Sequence, residues 1–232
     1  MENKKIKVSL AINIMIVIFT VIACIIMFTG FKFMEGEYVL ESTKIGMFRF
    51  FTVDSNIFMG IVALIFAIKE IKFLKGKIDE ISTRTYSLKL MATVSVGLTF
   101  FTVFGYLGSI AEGGLLSLLK NSNLFLHLII PVLSMVNFSL FEKTNKLKFK
   151  YSFLGVIPTM VYSIFYLINV LAHIENGKVS PIYDWYWFVQ GGIWQVYIVF
   201  PFMLIFTYII SVVLWRINKK RKTCNFKKIM VN

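Results

Sequence analysis

Two residues suited to nucleophilic chemistry stand out in an otherwise apolar chain of 232 residues: Thr52 and His127. Thr52 belongs to the segment Met47-Phe-Arg-Phe-Phe-Thr-Val-Asp-Ser-Asn56, and His127 to Asn123-Leu-Phe-Leu-His-Leu-Ile-Ile-Pro131. A threonine hydroxyl is a weak nucleophile at neutral pH. An imidazole within hydrogen-bond reach takes its proton as it attacks a carbonyl and returns that proton to the leaving alkoxide. Helical spacing puts Thr52, Ser55 and Asn56 on one face and turns Asp54 well away from Thr52. Ser55, Asn56 and Asn123 are then candidate donors to the oxyanion of such an attack. Each residue also has a plainer role. Thr and Ser can bond the carbonyl one turn back, Asn can join helices, and a lone intramembrane His can serve packing. Asp54 is costly inside a span and should face water or pair, with Arg49 or another helix as partner.

The elements that must position these residues follow from composition. The chain is 57% hydrophobic and 16% charged, with a mean hydropathy of +0.75, which is too apolar for a water-soluble domain of this length. Runs such as 12–28 and 203–215 are almost continuously apolar, which excludes the alternation of a β-barrel and leaves helices. The expected fold is all-α: a single membrane domain over 1–232 with six transmembrane helices near 8–30, 47–68, 88–110, 122–141, 151–172 and 191–215, then a basic tail over 216–232. The first run follows Lys4, Lys5 and Lys7 but is longer than a signal-peptide core, so it reads as a retained anchor.

Of the 25 Lys and Arg residues, 20 fall in the N-terminus, the 69–89 and 142–150 loops and the tail; five, Lys32, Lys44, Arg49, Lys120 and Lys178, fall in the alternate connections. Cytoplasmic loops retain positive charge, so both termini are expected inside. The formal charge of +13 is thus a topology signal and not the footprint of a nucleic-acid binder, although runs such as Lys219–Lys222 can also touch anionic lipid. Cys24, within a span, and Cys224, in the tail, are implausible disulfide partners and show no metal-type spacing. The same topology puts Thr52, His127, His173 and the aromatic loop from Asn176 to Trp187 at the outer end. That loop, with Tyr183, Trp185, Tyr186 and Trp187, reads as an interfacial belt or a ligand lid.

Phe50-Phe51-Thr52-Val53-Asp54-Ser55-Asn56 and Leu126-His127-Leu128-Ile129-Ile130-Pro131 resemble motifs of the androgen-induced family of membrane threonine hydrolases and its bacterial six-span relatives. A looser match runs from Tyr166 to Asn169, then His173 and Pro181-Ile-Tyr183. The resemblance implies a multi-pass protein of a bacterial plasma membrane that hydrolyses fatty acid esters, with Thr52 as nucleophile and His127 as base. It also implies supporting roles for His173 and Tyr183, membrane lipids and a lipid ester as partners, and no cofactor or metal. Two other readings are carried beside it. One is a small transporter or channel with a polar path lined by Asp54, Asn56, Asn137 and Asn169. The other is a haem or metal protein using His127 and His173.

Overall fold

Six helices form the body of the chain in a computed structural model that describes residues 2–35, 43–189 and 191–219. They are α1 (Glu2–Thr29), α2 (Phe51–Leu74), α3 (Thr83–Ile110), α4 (Ser122–Phe141), α5 (Phe149–Ala172) and α6 (Ile193–Asn218). The structure is 76% helical, and five of these helices, all except α2, are long and apolar enough to cross a membrane. Cys224 and the basic run from Lys220 onward lie outside the described residues. The helices extend past the apolar cores at several ends, because basic flanking residues such as Arg84 and Lys89 fit a helical turn as well as leucine does. At the other extreme, α2 starts at Phe51 and not at Met47. Lys44–Arg49 is a 3-10 turn, and Phe50 is extended, with φ −92° and ψ 125°.

Which face each helix buries follows from its seam. In α1 the buried residues Ser9, Asn13, Ile16, Thr20, Ala23 and Met27 recur every three or four positions, and Ile14, Ile18, Val21 and Ile25 face outward. Helix α2 repeats the pattern with Thr52, Asn56, Met59, Ala63, Phe66 and Glu70 inside. Helix α3 is different. Its residues from Ala92 to Thr99 are buried without a break, so it occupies the centre and the other helices surround it.

Small residues let the backbones approach. A Cβ on Gly60 would lie 2.8 Å from Thr20 Cγ2, and one on Gly155 would lie 2.3 Å from Ser211 Oγ. Ser211 uses that proximity to donate to the Ser152 carbonyl at 2.6 Å.

Between α5 and α6 the chain forms a departure from the all-α expectation. A two-stranded hairpin, β1 (Ile174–Glu175) and β2 (Lys178–Val179), turns at Asn176-Gly177, both with positive φ. Asn-Gly is the pair that a two-residue hairpin turn demands, because each central residue is left-handed.

Replacing Gly60 with leucine is expected to destabilise the α1–α2 seam by about 1–3 kcal/mol through overpacking against Thr20. Thermal unfolding in detergent should show a midpoint several degrees below wild type, with Ile61→Leu on the outward stripe leaving it unchanged.

Candidate active site

Helix α4 is bent to its task by a proline. Its segment Phe125–Ile129 is a π-turn, in which the Ile130 N–H reaches back to the Phe125 carbonyl. The next donor in that register would come from residue 131, but Pro131 has no N–H, so the Leu126 carbonyl is left without a helical partner. Asn56 supplies it: its Nδ2 donates to Leu126 O at 3.0 Å and to Thr52 O one turn back at 2.7 Å. A single amide therefore locks the start of α2 against the π-turn that carries His127.

Thr52 and His127 border the same pocket as a result. Both line one small, tight pocket together with Met27, Phe50, Val53, Asn123 and Tyr186. His127 is 1% exposed, and its Nδ1 lies 2.6 Å from the Leu118 carbonyl. A carbonyl only accepts, so Nδ1 carries the proton of the neutral ring and Nε2 keeps its lone pair, the tautomer a general base needs.

Thr52 and Tyr186 also border a second, larger pocket lined by residues of α3, α5 and α6. Its walls are Leu98, Leu107, Tyr162, Phe188, Phe200 and Met203, with the buried Thr159 hydroxyl lacking any hydrogen-bond partner among the described residues. The lining is mostly apolar and aromatic, as in sites for apolar ligands. The Thr52 hydroxyl thus stands between a small pocket and a larger aromatic one.

The loop before α6 reaches both pockets through Tyr186. Asp184 is fully buried and accepts from the Tyr166 hydroxyl, from Phe188 N at 2.9 Å and from Val189 N at 3.0 Å. Tyr166 in turn accepts from Tyr186 N at 3.4 Å and packs edge-on against Trp185. These contacts turn Tyr186 inward, so the loop is only partly the interfacial belt that its composition implies. Burial pushes the Tyr186 phenol up to about 12, opposed by hydrogen bonding from Thr52, Tyr162 and the Phe51 backbone. The phenol therefore keeps its proton at neutral pH.

Of the residues singled out in the sequence, Thr52, His127 and Asn123 come together, and five others line neither cavity. The Asp54 carboxylate has no hydrogen bond or ion pair among the described residues. It falls on the outward stripe of Ile61, Leu64 and Ile68 in the first turn of α2, where a helix N-terminus favours an anion. Arg49 is not its partner: the guanidinium lies over the Phe50 and Trp185 rings, and its carbonyl accepts from the Tyr162 hydroxyl at 2.6 Å. Ser55 bonds Thr99 across to α3 at 3.2 Å, and Asn56 is committed to Leu126. His173 stacks on Tyr183 at 3.6 Å between centroids, with its Nδ1 on the Asn169 carbonyl. The two histidines therefore belong to separate clusters, and no group of three or more His, Cys, Asp or Glu suited to a metal occurs among the described residues.

The sequence marks Tyr186 only within a loop that reads as belt or lid, and it gives Asp184 and Thr159 no part in the site. One signal was available for Asp184, a lone carboxylate amid Tyr183, Trp185, Tyr186 and Trp187. Compared with known proteins, the chain matches no family model, no curated protein and no solved structure.

Removing the loop's anchor gives a direct check. Asp184→Ala leaves two backbone donors and a phenol unpaired in a buried setting and is expected to cost about 2–4 kcal/mol. Protease cleavage between residues 174 and 192 should rise with a lowered thermal midpoint, and Asp184→Asn should fall between the two.

Proposed function

We propose that this chain is an integral membrane hydrolase of lipid esters, with Thr52 as nucleophile and His127 as general base. The observation that carries the reading is the shared cavity, in which a hydroxyl and an imidazole held in its Nε2-basic tautomer line one small chamber. His127 Nε2 takes the Thr52 proton as Oγ bonds to the ester carbonyl carbon. The resulting oxyanion collapses, the ester C–O bond breaks, and His127 gives the proton to the departing alkoxide. Water, deprotonated by the same ring, then releases the acyl group from Thr52. Two candidate donors to the oxyanion line the same pocket: the Asn123 amide and the Tyr186 phenol, which holds its proton up to about 12 and so can donate throughout the neutral range. The aromatic chamber beside Thr52 suits the acyl chain.

We read α2 as a sixth span, which returns both termini to one side. The concentration of 20 of the 25 basic residues at that end makes it the cytoplasmic one. Thr52 and His127 then lie just beneath the outer leaflet, within reach of membrane lipids. The motif resemblance to the androgen-induced family and its bacterial relatives supports the same chemistry and a bacterial plasma membrane. For a transporter, Asp54, Asn56 and Asn137 would have to share a path. Asp54 faces outward, Asn56 binds Leu126, and Asn137 binds Glu142 at the opposite end.

Fluorophosphonate labelling tests the proposal. Wild type and Thr52→Ser should label and hydrolyse model fatty acid esters, whereas Thr52→Ala and His127→Ala should lose at least about 100-fold in both. Full labelling of both alanine variants, or none of wild type, would show that Thr52 is no nucleophile.

A further inference from the structure

The end of the bundle opposite Thr52 buries three charged side chains in one cluster. Lys89 on α3 pairs with Glu142, just after α4, at 3.0 Å with both side chains fully buried, and Glu70 on α2 is 2% exposed. Asn13 on α1 joins them. Its Nδ2 donates to Glu70 Oε2 and to Glu142 Oε1, each at 3.0 Å, while its Oδ1 accepts from Lys89. Ser9 and Asn137 add donors to the same Glu142 oxygen at 3.4 and 2.9 Å. From α6, Asn218 contributes an amide to the Glu142 carbonyl at 2.9 Å. These helices bring only neutral side chains to the carboxylates apart from Lys89, whose ammonium also lies 5.2 Å from the Phe66 ring centroid.

Two things about this cluster are incomplete. With Lys89 and both carboxylates ionised it carries one uncompensated negative charge, which an apolar bundle makes costly. In addition, the donors converge on Glu142 Oε1, while Oε2 of the same carboxylate and Oδ1 of Asn137 are buried without a hydrogen-bond partner among the described residues. Both orphans are acceptors, so the missing group is a proton donor or a cation. A metal cation at these acceptors answers both, and a proton on Glu70 answers the charge alone.

We propose that this cluster is a binding site for one small monovalent cation, a proton or Na⁺, held by Glu70, Glu142 and Asn137. Two carboxylates, one already paired with Lys89, leave a single charge to balance, which suits a monovalent ion and not Ca²⁺. A proton neutralises Glu70. Sodium is met by Glu142 Oε2 and Asn137 Oδ1, and the two occupants compete because either one removes the excess charge. The site stands independently of the chemistry at Thr52.

The test is thermal unfolding of the full chain in detergent between about pH 5 and about pH 9, in choline chloride and in NaCl at equal ionic strength. The native state binds the cation and the unfolded chain does not, so in choline the midpoint should fall as pH rises. The expected slope is about 3 °C or more per pH unit within the titration range. Recovery in NaCl at high pH identifies Na⁺ as an occupant, and no recovery identifies the proton alone. Glu70→Gln should flatten the pH slope, and Asn137→Ala should weaken any Na⁺ response. If Glu70→Gln does not fold, infrared spectra of wild type decide: a protonated-carboxyl band should persist above about pH 6 and vanish with base or Na⁺. A wild-type midpoint indifferent to pH and salt, a pH slope unchanged in Glu70→Gln, or the absence of that band would overturn the proposal.

Discussion

One hydrogen bond sets the outer half of this molecule: the Asn56 amide on the Leu126 carbonyl. It exists because Pro131 withholds an N–H from a π-turn and leaves a carbonyl that hydrocarbon cannot satisfy. In water such a carbonyl would find solvent. In an apolar bundle it must find a neighbouring helix, and the helix that answers is the one that starts with Thr52. The register of α2 on α4 is therefore fixed by a backbone requirement, and the proximity of Thr52 to His127 follows from it. A π-turn in α4 also rotates the residues before it relative to those after it, so His127 and Pro131 present different faces than a regular helix would allow.

The same rule governs the far end on a larger scale. Lys89, Glu70 and Glu142 can be buried only because Asn13, Ser9 and Asn137 distribute donors and acceptors among them. Four helices contribute to that cluster, and α6 reaches it through Asn218. The bundle is thus tied by polar contacts at both ends and by close small-residue packing, as at Gly60 and Gly155, between them. The outer loop is tied in the same manner, with Asp184 serving as the acceptor for two backbone amides and the Tyr166 phenol. Asn13, Ser55, Asn56, Lys89 and Asp184 each find a partner on another element.

Much of this was legible in the amino-acid order, and the gaps have physical reasons. Helix existence and approximate position could be read from apolar runs, because hydrocarbon solubility is a local property of composition. The inward face of α2 was legible from the spacing of Thr52 and Asn56. The partner expected for Asp54 on Arg49 or another helix does not occur among the described residues, since a carboxylate near a helix N-terminus can be tolerated by the helix dipole and need not turn inward. The inner ionic cluster escaped notice because Lys89 and Glu70 sit among the flanking charges that mark a span's end; only tertiary packing distinguishes a buried lysine from a solvated one. Tyr186 was hidden for a similar reason, as aromatic loops of identical composition lie flat at an interface or fold inward, and what decides between these is a long-range bond from Asp184 to α5.

The protonation state and neighbour of one imidazole bear on all of the outer site. In ¹⁵N spectra of a His173→Gln chain, whose single remaining histidine is His127, Nδ1 should carry the proton at neutral pH and Nε2 should not. The Nε2 resonance should shift when Thr52 is replaced by valine. A protonated Nε2, or an Nε2 indifferent to the loss of the Thr52 hydroxyl, would contradict the pairing of these two residues.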